Sequence, residues 1–378
     1  MHLDRASEDI YIFTSDRYAQ VTATLIASGS TGVLIDTLPF PTETAQIALF
    51  ARKRCPDGVR FIIYTGHEAD HVYGAFLFPK AEIIAHERGR EVLLERGEVA
   101  LARAREQSPE FGSVQIKLPT FTFTTGSTTL RLPGKTLEII HTPGHTPDSV
   151  SVLLQEEKIL FAGDTVMALP TIANGDPEQL KQSLDLIGSM QLENIVQGHG
   201  EMILRGEIKD NLKRQVNYLD NIRTKVQNLI QEGGPREAAK AITIESCGMQ
   251  RVLLNGMVTA LHHANVLALY DRLAPQPKPI EPARSVASPA PEVKASQAAS
   301  RAKSAPKSAP KPTPKSESKS KSKTKAPKAA KQSRASKPRK AATDKAVARK
   351  SNTASKAVTA HSKVKVRPAK KAKATRGR

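Results

Sequence analysis

The sequence predicts an α+β fold: a sandwich of β-sheets covered by helices, followed by a small helical region and a disordered basic tail. Three observations predict it. Short β-branched runs recur between residues 9 and 196, bounded by Ser, Gly and Asp, with helical stretches only at intervals. Residues 207–273 read as helix with one Gly-Gly-Pro break. After Pro275 the composition collapses into Lys, Ala, Ser and Pro, with no aromatic residue from 271 onward.

Strands are expected at Asp9–Phe13, Val21–Ile26 and Gly32–Asp36, each short and apolar. Thr42–Arg54 follows with helical spacing of Ala45, Ile47, Ala48 and Ala51, opening at Pro41. Phe61–Tyr64 and Glu82–Ala85 read as buried strands, and Glu87 to about Gln107 as a charged helix. Strands resume at Thr120–Leu132 with a Gly126-Ser127 turn, then at Leu137–Ile140, Ser149–Leu154 and Lys158–Ala162. Glu178–Met190 is expected as a helix and Asn194–Val196 as a strand. This order suits covered sheets better than a regular βαβ array. Helices are expected over 207–232 and 235–273, where Val252, Leu253, Met257, Leu261, Val266 and Leu269 recur at helical spacing. The expected divisions are 1–206, 207–274 and 275–378.

The charge divides sharply. Residues 281–378 carry 29 Lys+Arg and 4 Asp+Glu, a net of +25, whereas residues 1–280 carry 28 and 33, a net of −5. A mildly acidic body is joined to a strongly basic stretch. The two cysteines, Cys55 and Cys247, exclude a disulfide scaffold or Cys₄ zinc ribbon and suit reduced thiols inside a cell. No apolar run is long enough to span a membrane, and Met1–Arg5 opens no signal peptide. A cytoplasmic, nucleoid-associated location is expected.

Chemistry-bearing residues gather where apolar strands end. Asp70 and His71 follow one strand, and His145 follows another within Thr142-Pro143-Gly144-His145-Thr146-Pro147. Asp164 and His199 close two more. Strand ends on one rim of a sheet converge, so distant loops can deliver ligands to one point. Imidazole with carboxylate suits zinc, iron or manganese.

Thr65-Gly66-His67-Glu68-Ala69-Asp70-His71-Val72-Tyr73-Gly74 resembles the Thr-His-x-His-x-Asp-His-x-x-Gly signature of the metallo-β-lactamase-fold hydrolases. Thr142–Ser149 resembles that family's Thr-Pro-Gly-His-Thr-Pro-Gly-Ser loop, with Asp148 in place of the second glycine. Leu160–Thr165 and Gln197–Gly200 are similar to its Phe-x-Gly-Asp-Thr and Pro-Gly-His-Gly segments. The resemblance implies a metallo-β-lactamase-type αββα sandwich with a dinuclear site. Asp70, His71 and His199 would hold one ion, Asp164 would bridge, and His145 would belong to the other. Asp70 would also orient the attacking water as the catalytic residue.

The departure falls at Gly66 and Glu68, where the family has its first two histidines. Glu68 is a possible replacement ligand, and so is His67 if the turn shifts by one residue. Neighbours in an extended segment point to opposite sides, so the two are not expected to face the metals together. His262-His263 are expected to pack and meet solvent, His141 to support the ligands from behind, and Asp36 to bond backbone.

The resemblance implies metal-assisted hydrolysis of a small ester, thioester or lactone-like substrate, glyoxalase-II-like, with one or two zinc ions expected and iron or manganese as alternatives. A silent fold serving as a nucleic-acid-associated binding module is the other reading, motivated by Gly66 and Glu68. The basic stretch resembles histone-H1-like tails in composition. Lys311, Lys315, Lys319, Lys321, Lys323 and Lys325 typify its runs, which are expected to bind DNA or RNA without sequence preference through counterion release. The absence of aromatic residues argues against base stacking.

Overall fold

The structure, a computed structural model, describes residues 1–250 and 254–274. Two mixed sheets stack face to face with helices on both outer faces, the αββα arrangement of the metallo-β-lactamase fold. The first sheet runs in chain order: β1 (His2–Ser7), β2 (Ile10–Thr14), β3 (Thr22–Ser28), β4 (Thr31–Ile35), β5 (Gly58–Ile63), β6 (Glu82–His86) and β7 (Phe121–Phe123). Its first four strands are antiparallel and β4 to β7 are parallel. The second sheet comprises β8 (Ser127–Leu132), β9 (Lys135–His141), β10 (Val150–Leu154), β11 (Ile159–Phe161), β12 (Asn194–Val196) and β13 (Ile203–Leu204). Within it only β11 and β12 pair in parallel.

The apolar runs have both faces buried, which is why they lack a polar alternation. Along β2, Ile10 and Ile12 face the gap between the sheets, while Tyr11 and Phe13 face the outer helices. In β5, Phe61 and Ile63 point inward and Ile62 outward. Leu137, Ile139, Val150, Val152 and Phe161 complete the inter-sheet layer from the other side.

Helix α1 (Pro41–Arg54) and a helical stretch over 87–107 cover the first sheet. That stretch consists of α-helical turns at Glu87–Val92 and Glu98–Gln107, with wider π geometry over Leu93–Gly97 between them. The second sheet is covered by α2 (Pro177–Ser189), α3 (Ile208–Gln231) and α4 (Val258–Leu273). Asp176 caps α2 by accepting the Glu178 and Gln179 N–H groups, with Pro177 at the first helical position.

The expectation of one helix over 235–273 is corrected. Only Val258–Leu273 is α-helix, preceded by 3₁₀ turns at Arg236–Ala241, Glu245–Cys247 and Leu254–Gly256. Backbone conformation breaks the run, with Gly248 at φ +84° and Asn255 and Gly256 at +51° and +81°. A left-handed residue cannot continue a right-handed helix. Val252, Leu253 and the whole basic stretch, including Lys311 to Lys325, lie outside the described residues. Among the described residues no helix is long and apolar enough to cross a membrane.

Candidate metal centre

One rim of the sandwich collects the C-terminal ends of β4, β5, β9, β11 and β12, and the loops leaving them carry the predicted residues. Asp36 follows β4, Glu68, Asp70 and His71 follow β5, His145 follows β9, Asp164 follows β11 and His199 follows β12. Two glycines allow the close approach. Gly163 sits at φ +50°, and a Cβ there would come within 2.5 Å of Thr65. A Cβ on Gly198 would collide with Asp164 Oδ1.

Asp164 lies at the centre. Its Oδ2 is 3.3 Å from His71 Nε2 and 3.2 Å from His145 Nε2, and its Oδ1 is 3.4 Å from His199 Nε2. Asp70 Oδ2 is 3.2 Å from His199 Nε2, and Asp70 Oδ1 is 3.8 Å from His71 Nε2. Glu68 Oε2 is 2.6 Å from His145 Nε2. All six residues assigned to the site from the sequence therefore meet. Their donor atoms form two groups that could hold a cation, Asp70/His71/His199 and Glu68/His145/Asp164.

Each imidazole is aimed from behind. His71 Nδ1–H donates to Asp36 Oδ2 (2.9 Å), His199 Nδ1–H to the Ala19 carbonyl (2.9 Å), and His145 Nδ1 meets Thr171 at its Oγ1 (2.7 Å) and carbonyl (3.1 Å). With Nδ1 so engaged, the Nε2 lone pair faces inward, the orientation metal-binding histidines take. Asp36 is itself fixed by the Thr65 N–H (2.8 Å) and hydroxyl (2.6 Å). Its backbone bonding was expected. Its hold on His71 was not.

The electrostatics point the same way. Burial would depress the three imidazoles, yet the surrounding carboxylates outweigh it. Glu68 and Asp164 hold His145 up at about 9, Asp164 and Asp70 hold His199 at about 10, and Asp36, Asp164 and Asp70 raise His71 well above its ordinary value. Burial would raise Asp164, but His199, His71 and His145 keep it well below the usual carboxylate range. Such a focus of negative potential is one where a divalent cation can displace protons. Asp164 Oδ1, buried with no hydrogen-bond partner among the described residues, is the polar atom this donor set leaves over for a cation.

The choice between His67 and Glu68 is decided by direction. Glu68 turns inward to His145, while His67 Nδ1 bonds Asp148 Oδ1 at 2.7 Å, so His67 is not a donor to this cluster. Gly66 supplies nothing, and a Cβ there would meet only Thr146 Oγ1, at 4.0 Å.

A cavity of about 140 Å³ opens over the cluster. Glu68, Asp70, His145, Asp164 and His199 line it, together with the apolar side chains of Met167, Leu261 and Ala264. Tyr18 and Asn174 also reach it, and neither stands in a motif that singled it out in the sequence. Burial, then the charges of Asp70, Glu68 and Asp164, push the Tyr18 phenol up to about 12. His262 serves packing, as expected: its Nδ1 accepts from the Tyr218 hydroxyl (2.9 Å) and its Nε2–H donates to the Ile242 carbonyl (2.8 Å). His141 stacks on His86 at 4.0 Å and donates to the Pro147 carbonyl, so it supports the 142–149 loop and does not bond a ligand. Cys55 and Cys247 are buried free thiols.

Fold and rim cluster together define a metallo-β-lactamase fold, and residues 17–199 match the Metallo-beta-lactamase superfamily. A metallo-beta-lactamase family protein from Thermus thermophilus superposes with a TM-score of 0.55, covering 71% of this chain and 94% of its own at 18% identity. The Beta-lactamase-like protein 2 homolog of Caenorhabditis elegans is 26% identical over 180 residues, 47% of this chain and 55% of its own. The atrochrysone carboxyl ACP thioesterase of Aspergillus fumigatus is 33% identical over 141 residues (37% and 40%). A hydroxyacylglutathione hydrolase of Haemophilus influenzae is 31% identical over 112 residues (28% and 53%). The chain thus spans about half the length of these curated relatives.

Proposed function

We propose that this protein is a metal-dependent hydrolase of small acyl esters, with thioesters preferred, and that zinc is its ion. The observation that carries the reading is the convergence of three imidazole Nε2 atoms on Asp164 at 3.2–3.4 Å, each with its Nδ1 held by a protein oxygen. Asp70, His71, Asp164 and His199 would hold one cation, and Glu68, His145 and Asp164 a second. A divalent cation there supplies hydroxide at neutral pH and draws charge from the acyl oxygen. Asp70, placed at the cavity wall, orients the attacking water and takes its proton. Met167, Leu261 and Ala264 offer the acyl chain an apolar wall. The thioester preference is supported by two relatives whose names describe thioester hydrolysis.

Metal analysis of the full chain, paired with hydrolysis of an acyl-coenzyme A series, tests this. At least one transition metal per chain and zinc-dependent thiol release are expected. Less than one metal per chain after reconstitution would leave the silent-module reading in its place.

The basic stretch supports a further part of the reading, non-specific binding of DNA or RNA. A net charge of +25 over 281–378 releases counterions from a polyphosphate. The full chain should bind duplex DNA with an affinity that falls steeply as salt rises. A flat salt dependence would remove this part alone.

A further inference from the structure

We propose that Tyr18 is a catalytic residue of this site, its phenol donating a hydrogen bond to the oxyanion that forms when water adds to the acyl carbon. The inference rests on the hydrolase reading above. Tyr18 lines the cavity with Glu68, Asp70, His145, Asp164 and His199, and its ring centroid lies 6.4 Å from that of His199. Of the other five tyrosines, Tyr11, Tyr64, Tyr218 and Tyr270 each bond their hydroxyl to a protein partner, and Tyr73, whose hydroxyl has none among the described residues, does not line the cavity. The Tyr18 hydroxyl has no such partner among the described residues and remains available to a ligand.

The backbone beneath Tyr18 is held in an unfavourable shape. Ala19 and Gln20, neither of them glycine, sit in succession at φ +44° and +52°. Side chains other than glycine adopt that region rarely, and persist there where the surroundings over-determine it. Those surroundings are present. Ser15 Oγ accepts the N–H groups of Arg17 and Tyr18 (3.1 Å each) and donates to the buried Glu43 carboxylate (2.8 Å). Arg17 makes a bidentate pair with Glu110 (2.8 and 2.7 Å) and lies 3.8 Å over the Phe40 ring. Asn255 ties the turn on its far side, accepting from Gln20 N–H (2.8 Å) and donating to the Asp16 carbonyl (2.9 Å). The turn accomplishes two things: the Ala19 carbonyl reaches His199 Nδ1, and the Tyr18 side chain enters the cavity.

The step balances without a co-reactant beyond water. Hydroxide forms a C–O bond to the acyl carbon, the carbonyl π pair moves onto oxygen, and the Tyr18 O–H donates to that oxygen without giving up its proton. The pair then returns, the C–S bond breaks, and sulfur leaves as thiolate. A preorganised donor aimed at a developing oxyanion is worth about 100-fold or more in rate.

The test compares the wild-type holoenzyme with Tyr18→Phe on a matched thioester and oxoester, together with calorimetric binding of a methylphosphonate, a stable anion that mimics the tetrahedral adduct. Expected are unchanged metal content and thermal midpoint, KM nearly unchanged, and kcat lower by about 100-fold on both substrates. Phosphonate affinity should fall more than tenfold. Equal kcat in the two proteins overturns the proposal. So does a loss confined to the oxoester, which would mean that the phenol protonates the leaving group, or a loss of metal along with activity, which would make Tyr18 structural. An inert wild type would instead remove the hydrolase reading, and the phosphonate arm would still decide whether Tyr18 meets an oxyanion.

Discussion

His67 Nδ1 lies 2.7 Å from Asp148 Oδ1, joining the 65–74 motif, which departs from the resembled pattern at Gly66 and Glu68, to the 142–149 motif, which departs at Asp148 itself. Asp148 is buried and reaches back against the helical turn at Glu87–Val92, where a Cβ on Gly89 would come within 2.7 Å of its Oδ2. The bond holds the His67 imidazole on Asp148, away from the cluster, in the bend between β5 and the helical turn at Ala69–Val72. Glu68, the residue before that turn, reaches His145 instead. The pair acts as a latch that selects which neighbour enters the site.

Asp148→Gly should release that latch. His67 and Glu68 would then share the inward position, and affinity for an ion at Glu68/His145/Asp164 should fall by about 10–100-fold, the usual effect of losing a residue that orients a ligand. Affinity at Asp70/His71/His199 should hold. Chelator-competition titration, resolving a weaker and a tighter ion, checks this. Two unchanged affinities would dismiss the latch.

His71→Ala and Asp164→Ala should each strip the tighter ion while leaving the circular dichroism spectrum native. Asp36→Asn tests the support behind His71. Its Oδ2 is the acceptor for His71 Nδ1–H, so metal affinity should drop by about 10–100-fold even though Asp36 is not itself expected to touch the ion. Metal content after gel filtration at a fixed zinc concentration is the measurement.

Much of this site was legible in the sequence because a strand end followed by Asp or His is a local signal. Asp70, His71, His145, Asp164 and His199 each stand in one, and the structure brings all five together. What the sequence hid depends on distance along the chain. Asp36 lies 35 residues from the imidazole it orients, and Tyr18 precedes every motif, in a turn whose positive φ angles fall on Ala and Gln rather than Gly. β1 was missed for another reason: His2–Ser7 has the composition of a loop and becomes a strand by pairing with β2 along the sheet edge. Over 235–273 the apolar spacing looked helical, but Gly248 and Asn255-Gly256 turn the chain out of helix twice.

Gly66→His should add a ligand. A Cβ at Gly66 would meet only Thr146 Oγ1, at 4.0 Å, so a side chain can begin there without displacing backbone. The weaker ion, left with Glu68, His145 and Asp164, would gain a fourth donor. The expected result is a rise towards two metals per chain and slower loss of the second ion to a chelator. An unchanged ratio, with the protein folded, would show that this position does not face the second ion.

The last expectation concerns pH and lies away from the metal cluster. His262, on α4, is buried between the Tyr218 hydroxyl of α3 and the Ile242 carbonyl, with His263 and Glu245 the other titratable groups acting on it. Burial lowers its pKa, so the imidazole is neutral in the fold. Tyr218 donates to its Nδ1 while accepting from Asn265 Nδ2 at 3.1 Å, and Asn265 in turn holds the Ile172 N–H and the Pro170 carbonyl beside Thr171. A proton on Nδ1 would leave the Tyr218 hydroxyl hydrogen without its acceptor. Because the folded pKa lies below the unfolded one, near 6.5, the unfolded chain binds more protons in acid. The stability contributed by His262 is therefore complete above the unfolded value and is lost as pH falls through it towards the folded value. In metal-free protein, where the ligands do not mask the effect, His262→Gln should lower the thermal midpoint at pH 8 by about 2–4 °C, as expected for roughly 1 kcal/mol of lost hydrogen bonding. The gap between variant and wild type should then narrow as pH is taken from 7 to 5. A gap that widened on acidification would mean that His262 is charged in the folded protein and that the network runs with the opposite polarity.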